Sequence, residues 1–342
     1  MKQIILSIFH DFVAWKLPVF CYIYCNMIWC DVCIAFLSSF YYKKLSDMAN
    51  LREIKGKIKS VKNLKKITRA LEVVSTVKLQ KTKSQAESLK KYLVDLLAIL
   101  SEVGQSIDIF QPLAQATPKK KKLIIVLTSE RGLCGALNSK LLRKIYTEEW
   151  FGEDVDYFVV WKKGLEYLKR AKANIVGSIH IGDSFTEEEL LPLYSYFDQA
   201  VNQSEYTHVS LYFNYFKNSI AQIPAAVQLM PLTQEWFGSF IEDLEIDYTF
   251  KSHVWKKDLI IEPDLESYIT EMRRQVRNYV INAALIQNKT GEHAARMIAM
   301  KNAKDNAIDF VESLTLQFNK ARQGAITQEI SEIVSAKIAI GG

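Results

Sequence analysis

The sequence predicts an α/β protein: two long helices, one from each end of the chain, paired as an antiparallel two-helix coiled coil, with a small layered α/β domain between them in sequence. Three observations carry this. Apolar residues recur at helical spacing over a very long stretch near each end. Breakers are scarce, with 13 Gly and 7 Pro in 342 residues, so little interrupts a helix. The middle alternates short apolar runs with amphipathic ones, as layered α/β domains do. An apolar fraction of 49% and a charged fraction of 24% exclude wholesale disorder and collagen-like structure. A net charge of +6 is mild and is not the heavy excess of a dedicated nucleic-acid binder.

Residues 1–47 stand apart. They hold Cys21, Cys25, Cys30 and Cys33, eleven of the 39 aromatic residues, and no Glu, Arg or Gly. Ile4–Phe9 is stopped by His10 and Asp11 with no small-residue cleavage site after it, unlike a signal peptide. A mitochondrial presequence is Arg-rich, and Arg is absent here. Leu17–Tyr42 reaches the roughly 20 residues of a membrane span, but Asn26 and Asp31 interrupt it. A mid-bilayer Asp costs about 2.5–3.5 kcal/mol. The cysteine spacings x3, x4 and x2 match no familiar zinc pattern. The expectation is an atypical apolar extension, translated upstream of a start at Met48. A membrane anchor and a metal or redox element are the alternatives.

Residues 48–110 read as the first long helix. Leu51, Ile54, Ile58, Val61, Leu64, Ile67, Leu71, Val74 and Val77 form an apolar stripe at steps of three and four. A helix over Ala49–Val103 would be about 80 Å long, more than a compact domain needs. A stripe near the 3.5-residue period asks for a second long helix beside it. The remaining surface is basic: between Met48 and Lys91, 13 Lys and Arg face 3 Glu, a balance of +10. Like charges at helical neighbour spacing repel, so the segment fits a partner of negative charge, and an acidic protein surface serves as well as a polyanion.

Residues 258–342 read as the second long helix, starting near Pro263. Leu265, Ile269, Met272, Val276 and Tyr279 step by 4, 3, 4 and 3. The stripe continues through Ala295, Ile298, Ala303, Ala307, Phe310, Leu314, Ala321, Ile330 and Ile333, where alanines allow a close neighbour. Its charges nearly cancel, ten basic against eleven acidic.

Residues 119–255 read as the α/β domain. Lys119–Lys122 is a solvated run before a strand at Leu123–Thr128. A helix at Leu141–Trp150, a strand at Val155–Trp161, a helix at Lys163–Ala171 and a strand at Ile175–Ile181 follow. A helix at Glu187–Asn202 and strands at Tyr206–Phe216 and Ala225–Pro231 complete it. The turn Ser129–Asn138 carries Gly132 and Gly135 after a strand, a place where phosphate can bind. It matches neither dinucleotide nor P-loop spacing and reads as a tight turn. Cys134 has no catalytic partner in sequence. The five His are scattered without metal spacing, and the carboxylate pairs Glu148–Glu149 and Glu187–Glu189 read as solvated. No catalytic, cofactor or metal constellation emerges.

Four stretches nevertheless carry a resemblance. Ile67–Ser75 (ITRALEVVS) with Lys78, Arg131–Asn138 (RGLCGALN), Glu292–Asn306 (EHAARMIAMKNAKDN) and Asn319–Ala336 (NKARQGAITQEISEIVSA) are similar, in order, to motifs of the gamma subunit of the F-type ATP synthase. They span residues 48–342. Glu130 stands where the family has Asp, Ala136 where it has a second Gly, and Ser335 where its last signature has Gly.

The resemblance implies a small Rossmann-like α/β domain and an asymmetric shaft turning inside a hexamer of alpha and beta subunits. It implies the epsilon subunit and the membrane c ring as further partners, proton flow as the drive, and no nucleotide chemistry, catalytic residue or cofactor in this chain. Arg322, Gln323 and Thr327 match family positions that contact a beta-subunit loop. Lys66, Arg69 and Lys78 would lie on the basic face near the beta subunits, whose acidic segment that face would meet. The apolar tail Ile326–Ile340 suits a sleeve in which a shaft turns without directional bonds. The expected place is the inner membrane of a bacterium, peripheral on the cytoplasmic side. A nucleotide- or phosphate-binding α/β protein with a coiled-coil interaction stalk is the alternative. A coiled-coil nucleic-acid or membrane binder using the basic helix is a further one.

Overall fold

The computed structural model describes residues 30–103, 121–148, 154–182, 185–202, 206–231 and 262–340. The readings of Cys21, Cys25, His10, Lys119, Lys120 and His253 fall outside them, as do the expected domain limits at 110, 119, 255 and 258. Helix α1 covers Cys30–Val103 and helix α5 Leu265–Ile340. Between them lie β1 (Lys122–Leu127), α2 (Leu137–Glu148), β2 (Val155–Val160), α3 (Lys162–Arg170), β3 (Asn174–Ile179), α4 (Glu187–Asn202), β4 (His208–Phe216) and β5 (Gln222–Met230). Every expected strand and helix of the middle segment is present within a few residues of its expected ends. The compositional break at Met48 falls inside α1.

The chain divides into two units, residues 1–65 with 305–342, and residues 66–304. The second contains a five-stranded sheet in the order β3-β2-β1-β4-β5. Strands β1 to β4 run parallel, and β5 returns antiparallel to β4. The chain first steps from β1 out to β3, then crosses back to β4 on the other side of β1. Right-handed crossovers in opposite directions place their helices on opposite faces. Thus Ile124 and Val126 of β1 pack with Leu141, Ile145 and Leu168 of α2 and α3. Leu123, Ile125 and Leu127 pack with Leu193 and Phe197 of α4 and with Val276, Val280 and Ala284 of α5. A strand covered on both faces must be apolar throughout, which is why Leu123–Leu127 is an unbroken run. The outer strand β3 gains an extra residue, Val176, between the Ile175↔Tyr157 and Gly177↔Phe158 pairs. That bulge twists the edge and disfavours addition of a further strand.

In this unit α1 and α5 run antiparallel: Lys304 Nζ meets both Glu72 oxygens at 2.8 and 3.2 Å, and Tyr92 stacks on Tyr279 at 5.9 Å between centroids. The buried line of α1 is Thr68, Ser75, Leu79 and Thr82, a seven-residue alternation. The expected apolar stripe departs from it after Val61. Ile67, Val74 and Val77 are 57%, 50% and 61% exposed, while Thr68 and Ser75 are 4% and 2% exposed. The physical reason is that Ser75 and Thr82 satisfy their hydroxyls on their own helix, at Leu71 O (2.7 Å) and Leu79 O (3.1 Å). A small hydroxyl so satisfied is inexpensive to bury and allows a close neighbour. In the first unit, Leu51, Ile54, Ile58 and Val61 of α1 are half-buried as expected. On α5 there, Ala307, Leu314 and Ala321 turn inward, whereas Phe310, Ile330 and Ile333 are exposed. A second inward line at Val311, Phe318 and Ala325 keeps the same seven-residue spacing as Ala307, Leu314 and Ala321.

Candidate functional site

In an open parallel sheet the ligand crevice lies beyond the carboxyl ends of the strands, where the strand order reverses. Here that point lies between β1 and β4, and α5 fills it. Parallel pairing of β1 and β4 runs to Val126↔Tyr212. Two residues further along each strand lie Thr128 and Asn214, and between them sits the buried side chain of Asn288. Its Nδ2 donates to Thr128 O at 2.6 Å. Its Oδ1 accepts from Asn214 N at 3.0 Å and from Asn214 Nδ2 at 3.1 Å. One side-chain amide thus stands in for a peptide group and continues the ladder where the strands part.

A buried charge cluster follows on the same helix. Arg296 Nη2 donates to Glu292 Oε1 at 2.7 Å and to Arg131 O at 3.1 Å, and its Nε donates to Gly132 O at 3.2 Å. Lys289 Nζ lies 3.6 Å from Glu292 Oε2 and 4.3 Å from the centre of the Trp161 ring. Trp161 is fully buried, donates its Nε1–H to Ile181 O at 2.6 Å, and has φ 75°, a conformation a bulky residue adopts only when its surroundings hold it.

The glycine-bearing turn is bound from within. Leu133 and Gly135 take positive φ of 65° and 60°, Asn138 Oδ1 accepts from Ser129 N at 3.1 Å, and Ser129 Oγ donates to Arg131 O at 2.8 Å. The first amides of α3 are satisfied from this turn as well: Lys162 N by Glu130 Oε2 (3.1 Å), Lys163 N by Ser129 O (3.2 Å) and Gly164 N by Thr128 Oγ1 (2.8 Å). Burial pushes the Glu130 carboxyl up. Hydrogen bonds from His180 and from Lys162 N, with the charges of His180 and Lys289, outweigh it and hold the group below the usual carboxylate range. Burial pushes the Cys134 thiol up.

A cavity of about 200 Å³ opens beside the turn, lined by Cys134, Leu137, Lys140, Ile220, Gln222 and Ile298 among others. It is mainly apolar. Among the described residues no group of His, Cys, Asp and Glu is placed to hold a metal ion. No helix among them is long and apolar enough to cross a membrane. The first amides of α3, which could otherwise meet a phosphate, are thus taken by Glu130, Ser129 and Thr128 of the chain itself, and this geometry lends the nucleotide-site alternative no support.

The residues expected to meet partners lie elsewhere. Arg322, Gln323 and Thr327 are exposed on successive turns of α5, with Thr327 Oγ1 donating to Gln323 O at 3.0 Å. Lys66 and Arg69 are exposed on α1, and Lys78 is half-buried. Sequence reasoning missed Asn288, Lys289, Glu292, Arg296 and Trp161. The available signal was a run of polar residues, Gln287–Glu292, interrupting a helix that is apolar before it.

These features define the class of a doubly wound α/β domain whose ligand crevice is plugged by the chain's own last helix. The family model described as ATP synthase matches residues 50–340. The ATP synthase gamma chain of Xanthomonas oryzae pv. oryzae (strain PXO99A) is 36% identical over 300 residues, covering 86% of this chain and 100% of that one. The ATP synthase gamma chain of Xylella fastidiosa (strain 9a5c) is 37% identical over the same length and coverage. The chain belongs to the ATP synthase gamma chain family. The fold is that of a chain in the Euglena gracilis mitochondrial ATP synthase OSCP/F1/c-ring assembly, with TM-score 0.60 at 17% identity, covering 85% of this chain and 95% of that one. The rotor of the same enzyme gives TM-score 0.55 at 18% identity, covering 81% and 99%.

Proposed function

We propose that this chain is the central-stalk rotor of an F-type ATP synthase, turning with a membrane c ring and driving the catalytic beta subunits in sequence, with no chemistry of its own. The observation that carries it is apolar surface left outside the helix seams. Ile67, Val74 and Val77 of α1 are exposed beside the basic Lys66 and Arg69. On α5, Ile326, Ile330, Ile333, Ile338 and Ile340 are exposed. Exposed apolar side chains in such number mark a surface that is covered in an assembly. A rotor acts as a moving ligand, since only contacts that differ between conformations shift an equilibrium.

In this reading residues 48–110 and 258–342 form the shaft, 119–255 the domain facing epsilon and the c ring, and 1–47 an added extension. Arg322, Gln323 and Thr327 engage a beta-subunit loop, and Lys66, Arg69 and Lys78 the acidic beta-subunit segment. The assembly is peripheral on the cytoplasmic side of a bacterial inner membrane, through the complex. The reading requires no cofactor in this chain.

Reconstitution with alpha and beta subunits tests it. The chain alone is expected to hydrolyse no ATP, and its addition to raise the hydrolysis rate of the alpha/beta mixture. Arg322→Ala with Gln323→Ala is expected to weaken that stimulation while leaving thermal unfolding of the isolated chain in place. ATP turnover by the chain alone refutes the reading. So does a steeply salt-dependent DNA affinity without binding to the alpha/beta hexamer.

A further inference from the structure

Asn288, Lys289, Glu292 and Arg296 fall within about 100° of arc on α5, because each helical residue turns by about 100°. From that one face their attachments reach four separate segments. These are the end of β1 at Thr128 O, the following turn at Arg131 O and Gly132 O, β4 at Asn214 N, and the Trp161 ring after β2. Nearer its start α5 is held to the same domain by the undirected apolar packing of Met272, Val276 and Val280, with Arg277 bonded to Asp198 and lying over the Phe197 ring of α4. Apolar contact resists separation of a helix far better than it resists rotation about the helix axis. Hydrogen bonds resist both, since they weaken steeply once misaligned below about 120°.

We infer that this network is a rotational clamp, with Glu292 as its positioning residue, fixing the azimuth of α5 in the α/β domain so that torque on the domain enters the helix. The inference rests on the rotor reading above. Glu292 holds Arg296 at 2.7 Å on one oxygen and Lys289 at 3.6 Å on the other. It thereby aims Arg296 at two backbone carbonyls and Lys289 at the indole face. Glu292 lies within the single helix α5, Leu265–Ile340. Stability alone does not call for charges at this place, because buried ion clusters are often replaced by well-packed apolar side chains without loss. Directional bonds are what such a replacement removes.

The test uses the assembled ATP synthase in sealed vesicles, measuring ATP hydrolysis together with ATP-driven proton uptake by a pH-sensitive dye. Three forms of this chain are compared: Glu292→Gln, Glu292→Asp, and the apolar triple Lys289→Met with Glu292→Leu and Arg296→Met. The triple form is expected to assemble and hydrolyse ATP, with proton uptake per ATP lowered about five-fold or more, the low end of coupling effects. Glu292→Gln is expected to fall in the same direction and Glu292→Asp to recover most of the ratio. Wild-type uptake per ATP in the triple form overturns the clamp and leaves the rotor reading standing. Failure of both Glu292→Gln and the triple form to assemble also overturns it, since the cluster is then a folding element. If the unaltered chain neither assembles nor supports uptake, the rotor reading itself falls and takes the clamp with it.

Discussion

Replacing Asn288 with leucine keeps the branched outline of the side chain and removes every directional bond the amide makes. The change orphans two buried backbone groups at once, Thr128 C=O and Asn214 N–H. Neither has another strand to turn to. On the side where both groups point, the β1–β4 ladder has ended at Val126↔Tyr212. An unsatisfied buried group costs about 1–3 kcal/mol, so the pair amounts to about 2–6 kcal/mol. That is a large part of the 5–15 kcal/mol typical of a folded domain. At about 2–4 °C per kcal/mol, a mid-range loss of about 4 kcal/mol lowers the midpoint by roughly 8–16 °C. The assay is thermal unfolding of the purified chain by circular dichroism, with Asn288→Asp alongside. The aspartate keeps an acceptor for Asn214 N but, when ionised, turns an oxygen on Thr128 O and buries a charge, so it should also lower the midpoint. A Tm within about 2 °C of wild type for Asn288→Leu would refute the reasoning, since the strand ends would then be satisfied without this amide.

Other outcomes follow from the same geometry. A Cβ at Gly164 would lie 2.8 Å from Thr128 Cγ2 and 2.9 Å from its Oγ1. Gly164→Ala should therefore cost about 1–3 kcal/mol by overpacking, with part recovered by adding Thr128→Ser, in chemical denaturation curves. The Glu130 carboxyl is held below its ordinary range, so its contribution to stability is present above the unfolded carboxylate pKa and is lost as pH falls through the lower folded value. Glu130→Gln should flatten that acid limb in a pH series of unfolding midpoints, and an unchanged limb would contradict the assignment. The Cys134 thiol is buried and pushed up. Alkylation at pH 8, mapped to its peptide by mass spectrometry, should be slow in the folded chain and fast in denaturant; equal rates would contradict the burial.

Much of the fold is legible in one dimension. The run Leu123–Leu127 can only be a strand covered on both faces. The scarcity of Gly and Pro permits helices as long as α1 and α5. These are local properties, because period and composition report how one segment meets an apolar environment. The family resemblance is legible for the same reason: its motifs are short, ordered and contiguous.

What the chain order did not reveal is which face of a long helix turns inward. Along Leu64–Val77 the hydrophobic stripe and the buried line separate, so that Thr68 and Ser75 go in while Ile67, Val74 and Val77 stay out. A periodicity argument assumes that apolar side chains are buried within the chain that carries them, and fails where they are kept for another surface. The polar plug at the sheet crossover was hidden for a related reason. Asn288 and Arg296 meet partners 160 and 164 residues away. Nothing in a helical segment read by itself tells that its amide continues a distant strand ladder, or that its guanidinium closes a turn that elsewhere binds phosphate. Period and composition therefore determined the elements and their class. Which side chains ended buried, and against what, was decided only when the tertiary structure brought those distant backbone groups within hydrogen-bonding range.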